Sequence, residues 1–469
     1  MYFRSLIVAA LILLPSYGYA SRLTLDRVNS LYSDSTAPIR VMVQFNAPSS
    51  LSSLKDQSSI STIGDRDAYL SRLIKRQSRA ATLEGRYIRA NLRTLSVSRA
   101  ELIELLADDS LQIYQDKLHK PSLASSVEVI FPTQSVSPFS GAGETVAVLD
   151  TGVAKNHTFL AGSVIDAAEA CFSTSDPNNA NQPIESLCPN QQESMIGSGA
   201  AAPCDASIDL CAHGTQMAGV IAGQGSSFNG VATSANIIAV QVYSISNDEI
   251  FCGNAANTPC IGALTSNIIE GLDYINSIKN SYSIAAVNIS LGSTATYQGQ
   301  CNNQDEPADY LSVIADLTAS GIAVIASSGN FSMANEMSSP ACLEDVIAVA
   351  ATNDNDVPNS QNNRSSELDF FAPGVSVRTS SLPVNSFSTG SGTSISAAHV
   401  SGAWAVLKSQ NPNATVPSLK NRLSSTGTLV TQGLVSKPRI NLTAALGEMV
   451  INENDSSFLP AVYLLLLQD

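Results

Sequence analysis

Three segments of this 469-residue chain carry side chains that hydrolytic chemistry needs. Gly392-Thr393-Ser394-Ile395-Ser396 puts a serine where a long helix is expected to begin, and Ala397, Ala398, Gly402 and Ala405 are small enough to let that helix be buried. Ala212-His213-Gly214-Thr215 opens another helix on an imidazole, and the apolar run ending at Asp150 delivers a carboxylate to the end of a strand. A serine hydroxyl is a poor nucleophile until a base takes its proton and donors hold the oxyanion that follows. Asp, then His, then Ser is one of the chain orders in which such a triad occurs. Each residue also has a plainer reading. Ser394 could be a helix cap, Asp150 could simply end a strand in a turn, and Asn330, after Gly329, could be a turn residue. Of the four histidines, His119 lies in the basic N-terminal stretch. His399 sits five residues beyond Ser394, about 140° around the helix. His157 is the competitor to His213.

Read together, the three segments resemble those of the subtilisin-like serine proteases. The match His213-Gly214-Thr215-Gln216-Met217-Ala218-Gly219 is close, although the family commonly has a second histidine where Gln216 stands. Ala398 replaces a usual proline, and Ile395 a frequent methionine. The resemblance implies Ser394 as nucleophile, His213 as general base and Asp150 as the group that orients the base. It also implies an oxyanion hole from Asn330 and the Ser394 backbone N–H. Ser290-Leu291-Gly292 and Ser327-Ser328-Gly329 would bind substrate backbone and border the specificity pocket. Two other hydrolases fail on the residues. An aspartic protease needs two carboxylates sharing a proton, and Asp150-Thr151-Gly152 has no second copy. A lipase-like elbow needs Gly-x-Ser-x-Gly, and Ser396 stands where the last glycine belongs. The alternative from another class is a catalytically silent binding protein on the same fold.

These residues must be positioned by the elements around them. Thr145–Asp150, 237–243, 285–291, 322–327 and 346–351 are continuous apolar runs, the pattern of parallel strands covered on both faces. Leu264–Ser281 carries a helical stripe, and the alternation of strand and helix predicts an α/β domain with a parallel sheet over 141–447. Upstream, 21–120 (core 38–119) reads as a small α+β unit. Ile39–Phe45, Arg86–Val97 and Leu111–Gln115 are strand-like, 65–83 is a basic helix, and Ser98 with Glu101 forms a capping box. Its order resembles the ferredoxin-like inhibitory pro-domain of the family, with release expected between Asp116 and Ser126 and a linker over 121–140.

Residues 1–20 have the charge, apolar run and small residues of an export signal, which predicts secretion to the exterior or the periplasm. The eight cysteines, Cys171, Cys188, Cys204, Cys211, Cys252, Cys260, Cys301 and Cys342, then read as disulfides. Short closures such as Cys204–Cys211 and Cys252–Cys260 are expected. Residues 21–140 carry a net charge of +3 and residues 141–469 a net charge of −19. So acidic a catalytic half excludes a phosphate-backbone partner. The partners expected are protein or peptide substrates and the chain's own pro-domain, the protein acting as a monomer. No cofactor is needed for the chemistry. Structural calcium is frequent in the family, but no segment has EF-hand spacing and no ligand is named. The polar stretch 167–212 reads as a long irregular insertion. The tail 448–469 contains a run of ten apolar residues, 458–467, too few to span a bilayer as a helix.

Overall fold

The computed structural model describes residues 28, 39–45, 66, 69–70, 73, 87–89, 91–116, 118–121, 127–160, 162–178, 183–302 and 306–447. The expected export signal, most of the helix over 65–83 and the tail from 448 lie outside them.

The N-terminal unit is an antiparallel sheet of β1 (Ile39–Phe45), β2 (Tyr87–Arg89), β3 (Leu92–Val97) and β4 (Leu111–Gln115), in the order β2-β3-β1-β4. The strand expected over 86–97 is therefore two, turning at Asn91. Between β3 and β4 runs α1 (Arg99–Leu106), whose capping box forms as its sequence suggests, Ser98 N donating to Glu101 at 2.8 Å. Val41, Val43, Leu95, Leu102 and Ile113 close a small core of this unit. Met42, Leu92 and Tyr114 join the larger core beyond it. Next comes β5 (Leu118–Pro121).

The rest of the chain follows as β6 (Thr145–Asp150), β7 (Ala170–Phe172), β8 (Ile184–Ser186), β9 (Ser194–Ile196), α2 (His213–Ala222), β10 (Asn236–Gln241), β11 (Tyr243–Ser246) and β12 (Cys260–Leu264). Then come α3 (Thr265–Ile278), β13 (Ile284–Ile289), β14 (Leu291–Ser293), β15 (Thr296–Tyr297), α4 (Ala308–Ala319), β16 (Ala323–Ser327), β17 (Met337–Ser338) and β18 (Val346–Thr352). The chain continues through β19 (Phe370–Pro373), β20 (Val375–Ser381), β21 (Ser386–Ser391), α5 (Thr393–Gln410), α6 (Val416–Thr426), β22 (Thr428–Gln432), β23 (Val435–Arg439) and α7 (Leu442–Leu446).

Ten strands make the main sheet, in the order β22-β23-β19-β18-β16-β13-β6-β10-β7-β9. It is parallel from β23 to β7, with β22 and β9 antiparallel at the edges. The apolar runs are continuous because each strand feeds two cores. In β6, Ala147 and Leu149 face the layer of α3 and α4, while Val146 and Val148 face the layer of α2 and α5. This is the α/β architecture expected of the alternation, with helices on both faces. The α5 helix is buried from Thr393 to Lys408, which suits a helix made largely of small and apolar residues.

Two expected strands are divided. The run 237–243 breaks at Val242 and 285–291 breaks at Ser290. At each break the chain leaves the parallel sheet and enters a five-stranded one, ordered β14-β5-β12-β11-β8. The stretch 167–212 is less irregular than expected, since β7, β8 and β9 all lie within it. Its four cysteines close as Cys171–Cys188 and Cys204–Cys211, and the other bridges are Cys252–Cys260 and Cys301–Cys342. Among the described residues no helix is long and apolar enough to cross a membrane.

Candidate active site

Asp150 is the last residue of β6 and is fully buried. Its two carboxylate oxygens face His213 Nδ1 at 2.7 and 2.9 Å, and Oδ1 also accepts from Thr151 N at 2.8 Å. A carboxylate only accepts, so Nδ1 carries the hydrogen and Nε2 is the basic nitrogen of the neutral ring. His213 is the first residue of α2, which has no side-chain N-cap of its own. Thr151 supplies the missing acceptor: Gly214 N donates to its Oγ1 at 2.9 Å, and Oγ1 donates in turn to Cys211 O at 3.2 Å. The Cys204–Cys211 bridge thus ends on the carbonyl that anchors the start of the helix. Gly214 is required by proximity, because a Cβ there would collide with the Gly152 carbonyl.

Ser394 enters from the opposite side, at the second position of α5, and is buried. Its hydroxyl donates to Ser290 O at 3.0 Å, and Ser290 Oγ donates back to Ser394 O at 2.7 Å. Behind them, Asn288 Nδ2 donates to Ser290 Oγ at 2.9 Å, and Ser401 Oγ donates to Asn288 Oδ1 at 3.1 Å. The end of β13 is therefore stitched to the first turns of α5. Since β6 and β13 are neighbours in the sheet and α2 packs on α5, both helix N-termini open at the same carboxyl-terminal strand edge. Open α/β sheets bind ligands there. Asn330 is oriented by Thr393 N, which donates to its Oδ1 at 3.0 Å, and Gly329 N donates to Thr393 Oγ1 at 3.2 Å.

His157 and His399 have structural bonds. His157 Nε2 lies 2.8 Å from Ser386 O, and its Nδ1 accepts from Phe159 N at 3.1 Å. His399 Nδ1 donates to Ile395 O at 2.9 Å within α5. Burial, and after it the Asp150 charge, pushes the Tyr243 phenol well above its ordinary value, so it stays neutral beside the carboxylate.

A cleft runs beside Ser394, and β5 fills it as a central antiparallel strand. Leu291, Gly292 and Ser293 pair with Pro121, Lys120 and His119, while Ala263 and Leu264 pair with His119 and Leu118. Ser327 Oγ donates to Leu291 O at 3.3 Å, tying the end of β16 to the start of β14.

Comparison with known proteins decides the assignment. The family model described as the subtilase family matches residues 141–441. The chain belongs to the subtilase family. It is 28% identical over 359 residues to the alkaline protease of Shouchella clausii, covering 75% of this chain and 77% of that protein. It is 31% identical over 292 residues to alkaline elastase YaB of Bacillus sp. (strain YaB), covering 62% and 61%. Against the crystal structure of a cold adapted subtilisin-like serine proteinase the identity is 22% and the TM-score 0.46, over 65% of this chain and 89% of that one.

As a subtilase the protein is a serine-type endopeptidase. Three features around this subtilase's site lie outside the sequence motifs. The wall β12 is a short apolar run, Cys260-Ile261-Gly262-Ala263-Leu264, directly before α3, and that position was a usable signal. Ser338 and Asn363, buried and bonded to each other, carry no local signature. Neither does Asp116, a lone carboxylate that reaches Ser266 at the start of α3.

Proposed function

We propose that this subtilase is exported as a zymogen, cuts its own chain after the N-terminal unit, and then hydrolyses protein substrates through an acyl-enzyme. In this reading Ser394 Oγ attacks the scissile carbonyl while His213 Nε2 takes its proton. The oxyanion is held by Asn330 Nδ2 and the Ser394 backbone N–H, the latter near the positive end of α5. The imidazolium, stabilised by Asp150, returns the proton to the departing amine, and the acyl-enzyme forms as the C–N bond breaks. Water then repeats the sequence and frees the serine.

The observation that carries the zymogen reading is β5, bound in the cleft by pairing on both edges, as an extended peptide adds to exposed strands. The rest of the N-terminal unit supports it by capping two helices. Asp116 accepts from Ser266 N at 3.0 Å at the head of α3, and Gln44 accepts from Ala308 N at 3.2 Å at the head of α4. Opposite net charges of the two halves favour their association. Four disulfides support an oxidising destination. The test is intact mass of the exported wild type beside Ser394→Ala. Wild type shortened near residue 120, with the variant still joined to its N-terminal unit, supports self-processing. Two full-length products would make this a silent binding protein, and two shortened ones would assign the cut to another protease.

A further inference from the structure

The proteolytic reading above leaves the substrate's side chain open, and the end of the cleft bears on it. A peptide laid along β14 in the register of β5 has one residue opposite Leu291, as Pro121 is, and its next residue opposite Ser290. Ser290 O accepts the Ser394 hydroxyl, so that next residue bears the carbonyl under attack. Directly paired antiparallel residues share a face of the sheet, and so do positions two apart on a strand. The side chain next to the scissile bond therefore lies on the face toward which a Cβ at Gly292 would point.

That direction is occupied. A methyl group on Gly292 would lie 2.9 Å from Ser338 Cβ, and one on Gly329, across the slot, 2.7 Å from Ser338 Oγ. Ser338 thus touches both walls. It is held there by backbone bonds to each: Ser338 N donates to Ser328 O at 3.1 Å, and Ser293 N donates to Ser339 O at 2.8 Å. Behind it, Asn363 Nδ2 donates to Ser338 Oγ at 3.3 Å. Asn363 Oδ1 in turn accepts from Phe331 N at 2.9 Å and Met333 N at 3.2 Å, so the amide cannot swing aside without leaving two donors unpaired. Ser338 and Asn363 are both fully buried. The buried Ser328 and Ser339 hydroxyls beside them have no partner among the described residues.

We propose that Ser338, backed by Asn363, is the residue that sets the primary specificity of this protease, closing the slot so that the residue before the scissile bond is glycine, alanine or serine. A benzyl or isobutyl group would have to displace a side chain pinned from two walls, and overpacking of that kind is resisted. The hydroxyls at the closed end also favour serine among the small residues.

The processed enzyme would be assayed on tetrapeptide p-nitroanilides that differ only in the last residue: Ala, Ser, Leu or Phe. We expect kcat/KM for Ala and Ser to exceed that for Phe by about 10²-fold, the scale of a pocket that excludes by size. Ser338→Gly should narrow the Ala-to-Phe ratio at least tenfold by raising kcat/KM for Phe. General damage to the fold would lower all four rates and leave the ratio in place. A second variant, Ser338→Val, should widen the ratio between a Gly and an Ala substrate. Wild type that cuts the Phe substrate as fast as the Ala one overturns the inference, as does a ratio unmoved in Ser338→Gly. Casein, which offers every side chain, separates the two ways of failing. An enzyme that digests casein with a Phe preference removes this inference alone, while a chain that cleaves neither casein nor any peptide removes the proteolytic reading beneath it.

Discussion

Asp116 is a point at which the N-terminal unit can be loosened sharply. Its buried carboxylate accepts from Arg40 Nε at 2.9 Å, Ser266 N at 3.0 Å and Ser266 Oγ at 2.7 Å. Asp116→Ala removes the only carboxylate bonded to Arg40 among the described residues and leaves a guanidinium in a buried site. Breaking such a pair from one side costs about 3–5 kcal/mol, or about 10² to 4 × 10³-fold in an opening equilibrium. Arg40 keeps Thr94 and Thr174 hydroxyls at 3.2 and 3.4 Å. These neutral acceptors offset part of the loss, so about 3 kcal/mol is expected. The assay is hydrogen exchange on the uncut Ser394→Ala chain, following Ile39–Phe45 and the first turn of α3. Their protection should fall about 10²-fold, while β16 and β18 stay protected. Arg40→Met with Asp116→Leu leaves no lone charge and should recover all but about 1 kcal/mol, the worth of the lost α3 cap. If Asp116→Ala changes protection less than threefold, or the double variant opens as readily as the single, the reasoning from this ion pair is refuted.

Other outcomes follow from the same geometry. Asn330→Ala should lower kcat by about 10²- to 10³-fold with little change in KM, a loss known from the corresponding donor of subtilisin itself; a KM effect alone would remove the oxyanion role. If the cut that frees the N-terminal unit follows the β5 register, it falls after Ser122. Ser122→Phe should then delay processing about 10²-fold while Ser122→Ala is still processed, and equal rates for the two would refute that register. Asp369 has its carboxyl pushed above the usual 3.8 chiefly by burial, more than Lys420 at 2.7 Å and the Ala348 N–H lower it. The folded state therefore binds this proton more tightly than the unfolded one. Its contribution to stability is present below the unfolded value and is lost as pH rises through the folded one. Asp369→Asn should accordingly gain in Tm on the wild type between pH 4 and pH 7, and a difference that shrinks over that range would contradict the assignment. Finally, Ile395 has no sulfur to oxidise, so peroxide should inactivate Ile395→Met faster than the wild type, as residual activity on casein would report.

What could be read from the sequence differs from what could not by the range of the interaction responsible. Val146 and Val148 face one core and Ala147 and Leu149 the other, so Thr145–Asp150 declares itself as a buried strand without reference to any partner. His213 and Ser394 announce helix starts through neighbours one or two positions away. Cys204–Cys211 and Cys252–Cys260 close loops of 7 and 8 residues and were legible as short closures; Cys301–Cys342 spans 41 and was not. The cleft is another matter. Leu118-His119-Lys120-Pro121 has no alternation and ends in proline, and it is a strand because β12 and β14 supply partners on both edges. The divisions at Val242 and Ser290 likewise depend on a second sheet taking over the chain.

The same distinction bears on what the fold commits this protein to do. The residues proposed for acyl transfer sit in short segments that are recognisable as consecutive letters, although Asp150 and His213 meet across 63 positions and Ser290 and Ser394 across 104. The choice of substrate depends on Ser338 lying against Gly292, 46 positions away, and on Asn363, a further 25 positions on. A change at either residue can therefore alter which bond is cut while leaving every letter around Asp150, His213 and Ser394 as it is. Specificity is also the property that a reading confined to those three segments cannot reach. The contact of Ser338 with both walls predicts that substitutions there act on the ratio between substrates. Substitutions at Asn288 or Ser401, which hold Ser394 from behind, should instead lower all substrates together.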